Sequence, residues 1–203
     1  MIDTIIFDLG GVLIDWNPMY VFNEIFAGNE ARKDYFFQNI CTHDWNEQQD
    51  AGRSLQDATD ELLAKHPEWE TEIRAYYGRW EEMLGGPIHG TVDILKKIKT
   101  ADSHRLYALT NWSAETFPVA LELYDFLQWF EGIVVSGVER TRKPFPKFYQ
   151  ILLDRYGVAP ERSVFIDDNY RNVEAAEKLG IQGIHFQSAG QLEKALAEKG
   201  ILS

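Results

Sequence analysis

The sequence predicts an α/β fold, a doubly wound parallel sheet carrying a helical insert, and three observations predict it. Short β-branched or aromatic runs recur along the chain. From about Gly90 onward they alternate with segments of helical apolar spacing. The stretch from Trp16 to Pro87 breaks that rhythm and offers helical patterns with no convincing strand. Near-continuous apolarity over so few residues suits strands buried on both faces of a parallel sheet. Alternation of strand and helix is what such a sheet needs to cover both faces.

Taken in order, Thr4-Ile5-Ile6-Phe7 is the first strand. In the insert, Leu55, Ala58, Leu62 and Leu63 share one face behind Ser54, a good N-cap, and Pro67 suits the first turn of a following helix. Ile73, Tyr76, Tyr77 and Trp80 trace another face, and Leu84-Gly85-Gly86-Pro87 punctuates the return to the sheet. Further strands are expected at Leu106-Tyr107-Ala108-Leu109, Ile133-Val134-Val135, Val164-Phe165-Ile166 and Gly183-Ile184-His185-Phe186. Helical faces run through Val92, Leu95 and Ile98, through Val173, Ala176 and Leu179, and through Leu192, Ala195 and Leu196. Residues 1–15 and 88–203 are thus expected to form the core, and 16–87 a helical cap.

With 203 residues the chain supports one compound unit, and 45% hydrophobic with 13% aromatic residues is enough for a sizeable core. Twenty Lys+Arg against 32 Asp+Glu give a net charge of −12, which opposes attraction to nucleic acid or an anionic membrane. Cys41 is the single cysteine, so no intramolecular disulfide or multi-thiolate metal site is possible, and a buried apolar role is expected. The opening MIDTIIFDLGGVLIDW has no basic n-region and meets an aspartate early, unlike a signal peptide or a membrane span. A cytoplasmic location is expected. His43, His66, His89, His104 and His185 show no ligand spacing, and none is assigned to a metal.

Two of the expected strands run into aspartate, at Asp8 before Gly10-Gly11 and at Asp167-Asp168-Asn169. In open parallel sheets ligands bind beyond the carboxyl ends of the strands, so these acids can converge. Three carboxylates gathered there need a cation, and Mg²⁺ is the usual hard ion at phosphate sites. Two more strand ends deliver Thr110-Asn111, able to donate to phosphate oxygens, and Lys143-Pro144, a balancing charge.

Phe7-Asp8-Leu9-Gly10-Gly11-Val12-Leu13, Leu109-Thr110-Asn111, Lys143-Pro144 and Phe165-Ile166-Asp167-Asp168-Asn169 together resemble the four ordered motifs of the haloacid dehalogenase (HAD) superfamily. The resemblance covers residues 2 to about 187 and implies a Rossmann-like core with a cap between the first and second motifs. It implies that Asp8 is a nucleophile forming an aspartyl intermediate, that Thr110 and Asn111 hold the phosphoryl oxygens, and that Lys143 orients Asp8. It also implies Mg²⁺ contacts from Asp8, the Gly10 carbonyl and Asp168, with Asp167 reaching the ion through water and Asn172 supporting the ligands.

One position departs from the pattern. Phosphatases of the superfamily usually carry a second aspartate two residues after the nucleophile, as general acid and base, where this chain has Gly10. Such help is worth on the order of a hundred- to ten-thousandfold in rate. Three readings follow. The first is a phosphatase for small phosphorylated metabolites whose leaving groups need no proton, such as some sugar phosphates. The second is a metal-free 2-haloacid dehalogenase, and the third a silent binding protein. Asp167-Asp168 disfavours the second, because an uncompensated acidic pair gains nothing without a cation. Retention of all four motifs disfavours the third.

In the insert, Trp16, Asn17, Trp45, Asn46, Gln49 and Arg53 are candidates for a lid that recognises the non-reacting part of the substrate. The competing expectation is that the tryptophans build the insert's own core. Asp15 is a candidate substitute acid, against a plain turn role. Opening and closing of the lid would hinge near Trp16 and Gly85-Gly86.

Overall fold

The computed structural model describes residues 1–202. The chain opens with strand β1 (Thr4–Phe7) and a tight loop into β2 (Ile14–Trp16). Five helices follow: α1 (Met19–Phe26), α2 (Glu30–Asn39), α3 (His43–Asp50), α4 (Leu55–Lys65) and α5 (Glu70–Gly78). Ser54 accepts from the Asp57 amide to cap α4, and Pro67 opens a 3₁₀ turn leading into α5. Strand β3 (Leu84–Pro87) returns the chain to α6 (His89–Ala101) and β4 (Arg105–Thr110). Next come α7 (Phe117–Leu123), β5 (Gly132–Val135), the single turn α8 (Ser136–Glu139) and α9 (Pro146–Tyr156). The chain closes with β6 (Ser163–Asp167), α10 (Tyr170–Glu177), β7 (Gln182–His185) and α11 (Ala189–Glu198).

Five strands form one parallel sheet in the order β5-β4-β1-β6-β7, so β1 is central and pairs with β4 and β6. Side chains alternate between faces along each strand. Ile5, Phe7, Leu106, Ala108, Val164 and Ile166 join a cluster with Leu95 of α6 and Leu192 of α11. Ile6, Tyr107, Leu109 and Phe165 point the other way, onto Phe148 and Leu152 of α9 and Ala176 of α10. Helices cover both faces, the doubly wound arrangement the strand pattern predicted.

The insert differs from expectation in one respect. Ile14–Trp16 and Leu84–Pro87 pair as a two-stranded antiparallel sheet, where the sequence showed no convincing strand. Ile14-Asp15-Trp16 is too short to stand out as a strand and Leu-Gly-Gly-Pro is poor in β-propensity, so tertiary context sets this pairing. Ser113 accepts from the Glu115 amide at 3.2 Å, and α7 begins only at Phe117. No helix among the described residues is long and apolar enough to cross a membrane.

Candidate active site

All four motifs meet at the carboxyl edge of the sheet. Asp8 is the first residue beyond β1, and its amide donates to the Ile166 carbonyl at 2.8 Å, which fixes it beside the end of β6. Its Oδ1 accepts from the Leu9 amide at 2.8 Å. Lys143, fully buried, reaches Asp8 Oδ2 and Asp167 Oδ2, each at 2.8 Å. Asn111 holds the lysine's backbone from both sides, accepting from the Lys143 amide at 2.8 Å and donating to its carbonyl at 3.1 Å. Asn111 therefore braces the Lys143 loop as well as standing on the cavity wall.

Asp167 ends β6 with both oxygens engaged. Oδ1 accepts from the Asn169 amide at 2.7 Å, and the Asn172 amide lies 3.1 Å from both oxygens. Asp168 is more exposed and stands free on the cavity side. Gly11 makes that position possible, because a Cβ there would overlap the Asp168 carboxylate, and its φ of +73° suits glycine.

Charge at this edge is unbalanced. Burial drives the Asp8 carboxyl well above the usual carboxylate range, with Asp167 and Asp168 adding to the rise against the opposing pull of Lys143. Asp168 is raised too, by burial first and Asp167 second. Burial would lower Lys143, but Asp167 and Asp8 outweigh it and hold the ammonium charged. One ammonium against three carboxylates leaves two negative charges. Asp8, Asp167 and Asp168 can each bring an oxygen within 4.8 Å of the others. An all-oxygen donor set with that surplus fits a hard divalent cation such as Mg²⁺. Two buried oxygens have no partner, Asn172 Oδ1, whose amide nitrogen meets Asp167, and Thr110 Oγ1, in the strand paired with β1. Buried polar atoms are rarely left so, and Thr110, at the end of β4, has a donor to spend on a ligand.

A cavity of about 380 Å³ opens on this cluster, lined by Asp8, Gly10 and Asp168 from the core. Trp16, Asn46 and Tyr77 face it from the insert side, together with Trp80, and Asn111 and Trp112 from the sheet side. Of the lid candidates, Trp16 and Asn46 are thus on the wall. Trp45, Gln49 and Arg53 are not. Trp45 is buried against Tyr76 and Tyr77 and donates to the Ala58 carbonyl at 3.3 Å. Gln49, also buried, bonds the Tyr77 hydroxyl and accepts from Arg53, and Arg53 turns to Glu61. These three build the insert itself, the competing expectation. Asn17 accepts from the Met19 amide, and Asp15 of β2 accepts from the Tyr20 hydroxyl of α1; neither is on the wall.

The sequence reading missed Asp50, His43, Tyr77, Trp80 and Trp112, which the folding of the insert brings to the wall. For Asp50 a signal was present. It is the last residue of α3, and a carboxylate at a helix C-terminus opposes the helix dipole, a cost without local return.

The sequence profile of haloacid dehalogenase-like hydrolases matches residues 2–180. The sesquiterpene phosphatase astK of Aspergillus oryzae is 29% identical over 182 residues, spanning 89% of this chain and 88% of the relative. A phosphorylated carbohydrates phosphatase of Thermotoga maritima is 24% identical across 99% of this chain and 93% of its own. A HAD family enzyme from Bacteroides thetaiotaomicron, solved with magnesium and inorganic phosphate, shares the fold with a TM-score of 0.70 at 22% identity, over 93% of this chain and 96% of that one. The matched span takes in β1, β4 and β6 and every residue of the charged cluster, and on it the chain belongs to the haloacid dehalogenase-like hydrolase family.

Proposed function

We propose that this hydrolase is a Mg²⁺-dependent phosphatase of small phosphorylated metabolites, working through an aspartyl-phosphate on Asp8. The observation that carries the reading is the cluster of three carboxylates, a formal surplus of two negative charges over Lys143, of which Asp8 and Asp168 open on the cavity. Bound Mg²⁺ would supply the positive charge that makes an anionic substrate welcome there, held by Asp8, Asp168 and the Gly10 carbonyl, with Asp167 behind. An Asp8 oxygen attacks phosphorus, and Lys143 aims that carboxylate and favours its charged form. The unpartnered Thr110 hydroxyl donates to a phosphoryl oxygen, and Asn111 fixes the lysine.

The cavity wall supports a ring-bearing leaving group. Trp16, Trp80 and Trp112 offer faces for the C–H side of a sugar, and Trp16 Nε1 is a buried donor without a partner. The relatives, a sesquiterpene phosphatase and a phosphorylated carbohydrates phosphatase, bracket the choice between an apolar and a polyhydroxyl group. The test is a panel of sugar and isoprenyl monophosphates at saturating Mg²⁺, with Asp8→Asn as blank, beside halide release from 2-chloropropionate. Phosphate release that is lost in EDTA and in Asp8→Asn is expected. Metal-independent halide release with no phosphate release would overturn the reading.

A further inference from the structure

Gly10 removes the side chain that commonly protonates the leaving group, yet the space beside it is kept. A Cβ built on Gly10 meets nothing within 4 Å, and Gly10 stands on the cavity wall. Across the same cavity lies a second carboxylate, Asp50, contributed by the insert. Its oxygens make no hydrogen bond or ion pair among the described residues.

Asp50 is held there by structure on both sides. One turn earlier on the same face of α3, Glu47 is buried and clasped by Arg142 and Arg171 of the core, each at 2.7 Å. Two residues later, Gly52 packs onto α8 so closely that a Cβ would lie 2.9 Å from the Gly137 carbonyl, in a backbone with φ of +97°. A helix end pinned at both flanks presents its last side chain in a fixed place. The side chain so placed is an acid without a partner on the cavity it shares with Asp8, where burial penalises its charge and the fold gains nothing locally from it.

We propose that Asp50, carried to the cavity by the docked insert, is the catalytic general acid and base of the reaction, in place of the side chain Gly10 lacks. The inference rests on the phosphatase reading above. In the first half-reaction an Asp8 oxygen bonds to phosphorus, the ester P–O bond breaks, and the Asp50 proton passes to the departing oxygen. In the second, Asp50 as carboxylate takes a proton from water, whose oxygen bonds to phosphorus as the Asp8–phosphorus bond breaks. Inorganic phosphate leaves, and both aspartates return to their starting states.

The surroundings suit a group that must exchange a proton near neutrality. Burial pushes the Asp50 carboxyl up to about 7; Glu47 adds to the rise, and Arg142 and Lys143 restrain it. Tyr76 and Tyr77 of α5 also face it, and His43, Asp8 and Asp168 share its cavity. A catalytic acid works best with its pKa near the operating pH.

Asp50→Asn, Gly10→Asp and the double variant, compared on p-nitrophenyl phosphate and an alkyl phosphate at saturating Mg²⁺, test this. In Asp50→Asn, alkyl phosphate turnover is expected to fall on the order of a hundredfold or more, while p-nitrophenyl phosphate, which leaves without a proton, stays within about tenfold. Wild-type kcat/KM on the alkyl phosphate is expected to fall above pH 7, and that fall should be absent in Asp50→Asn. The double variant should regain alkyl turnover, since position 10 has room for the acid. Equal losses on both substrates with an unchanged pH profile would reduce Asp50 to a structural role and overturn the proposal. An unaffected alkyl turnover would do the same. Halide release without phosphate release by wild type would strike the phosphatase reading itself, and is read from wild type alone.

Discussion

Lys143 is fully buried between Asp8 and Asp167, a position no ammonium occupies without carboxylates to meet it. Lys143→Met should abolish turnover and cost about 3–5 kcal/mol of stability, the usual penalty for breaking a buried ion pair. Thermal melting should show a larger loss in EDTA than in Mg²⁺, because under the proposed function a bound cation would neutralise the carboxylates the lysine leaves behind. Asp50 gives the opposite sign. Its folded-state pKa is raised from 3.8 to about 7, so its protonated form stabilises the fold fully below the unfolded value, and that contribution is lost as pH rises through 7. Asparagine never ionises and keeps it. Asp50→Asn is therefore expected to be more stable than wild type at pH 8 and equal to it below pH 4, read as the difference in urea midpoints. A site residue that stabilises the protein when removed marks a function held at the expense of stability.

At the level of elements, the docking of α3 is the feature that single positions in the sequence did not reveal. Glu47 is an ordinary polar residue in the helical pattern, and only the fold shows it buried beneath Arg142 and Arg171. Those arginines are unequal, with side-chain exposures of 16% and 51%. Glu47→Ala should cost about 3 kcal/mol, or roughly 6–12 °C in Tm. Arg142→Ala should approach that loss and Arg171→Ala should stay under about 1 kcal/mol. Because Glu47 fixes the helix that presents Asp50, its variant should also slow alkyl phosphate turnover more than p-nitrophenyl phosphate turnover. The parallel strands were legible because each is apolar on both faces, and the motif aspartates because strand ends place them. Trp45, Gln49 and Arg53 were misplaced because aromatic and amide residues at helical spacing suit a cavity wall and a small core equally, and the difference lies in how α3, α4 and α5 rotate against one another.

Across the whole molecule the insert and the sheet share one interior. Phe22, Phe36, Trp69 and Ile73 of the insert belong to the same buried cluster as Ile5, Phe7 and Ile166 of the sheet. Trp80 and Trp112 meet edge to face across the join at 5.9 Å, and the Leu55 amide at the start of α4 donates to Glu115 of the core at 2.9 Å. The boundary of the helical cap, read at residues 16–87, was placed by composition, which registers where strands stop and carries no information on whether the apolar faces on either side meet. A lid that opens must part the Trp80–Trp112 contact, the Glu47 clasp and the Leu55–Glu115 bond together, so opening is expected to be coupled to loss of core packing. Unfolding should then be a single transition. Far-UV ellipticity, which follows all the helices, and tryptophan emission, which samples Trp45 and Trp69 in the insert and Trp129 in the core, should give coincident urea curves. Curves that separate, with the emission change leading, would show an insert that melts on its own and a lid free to move without the sheet.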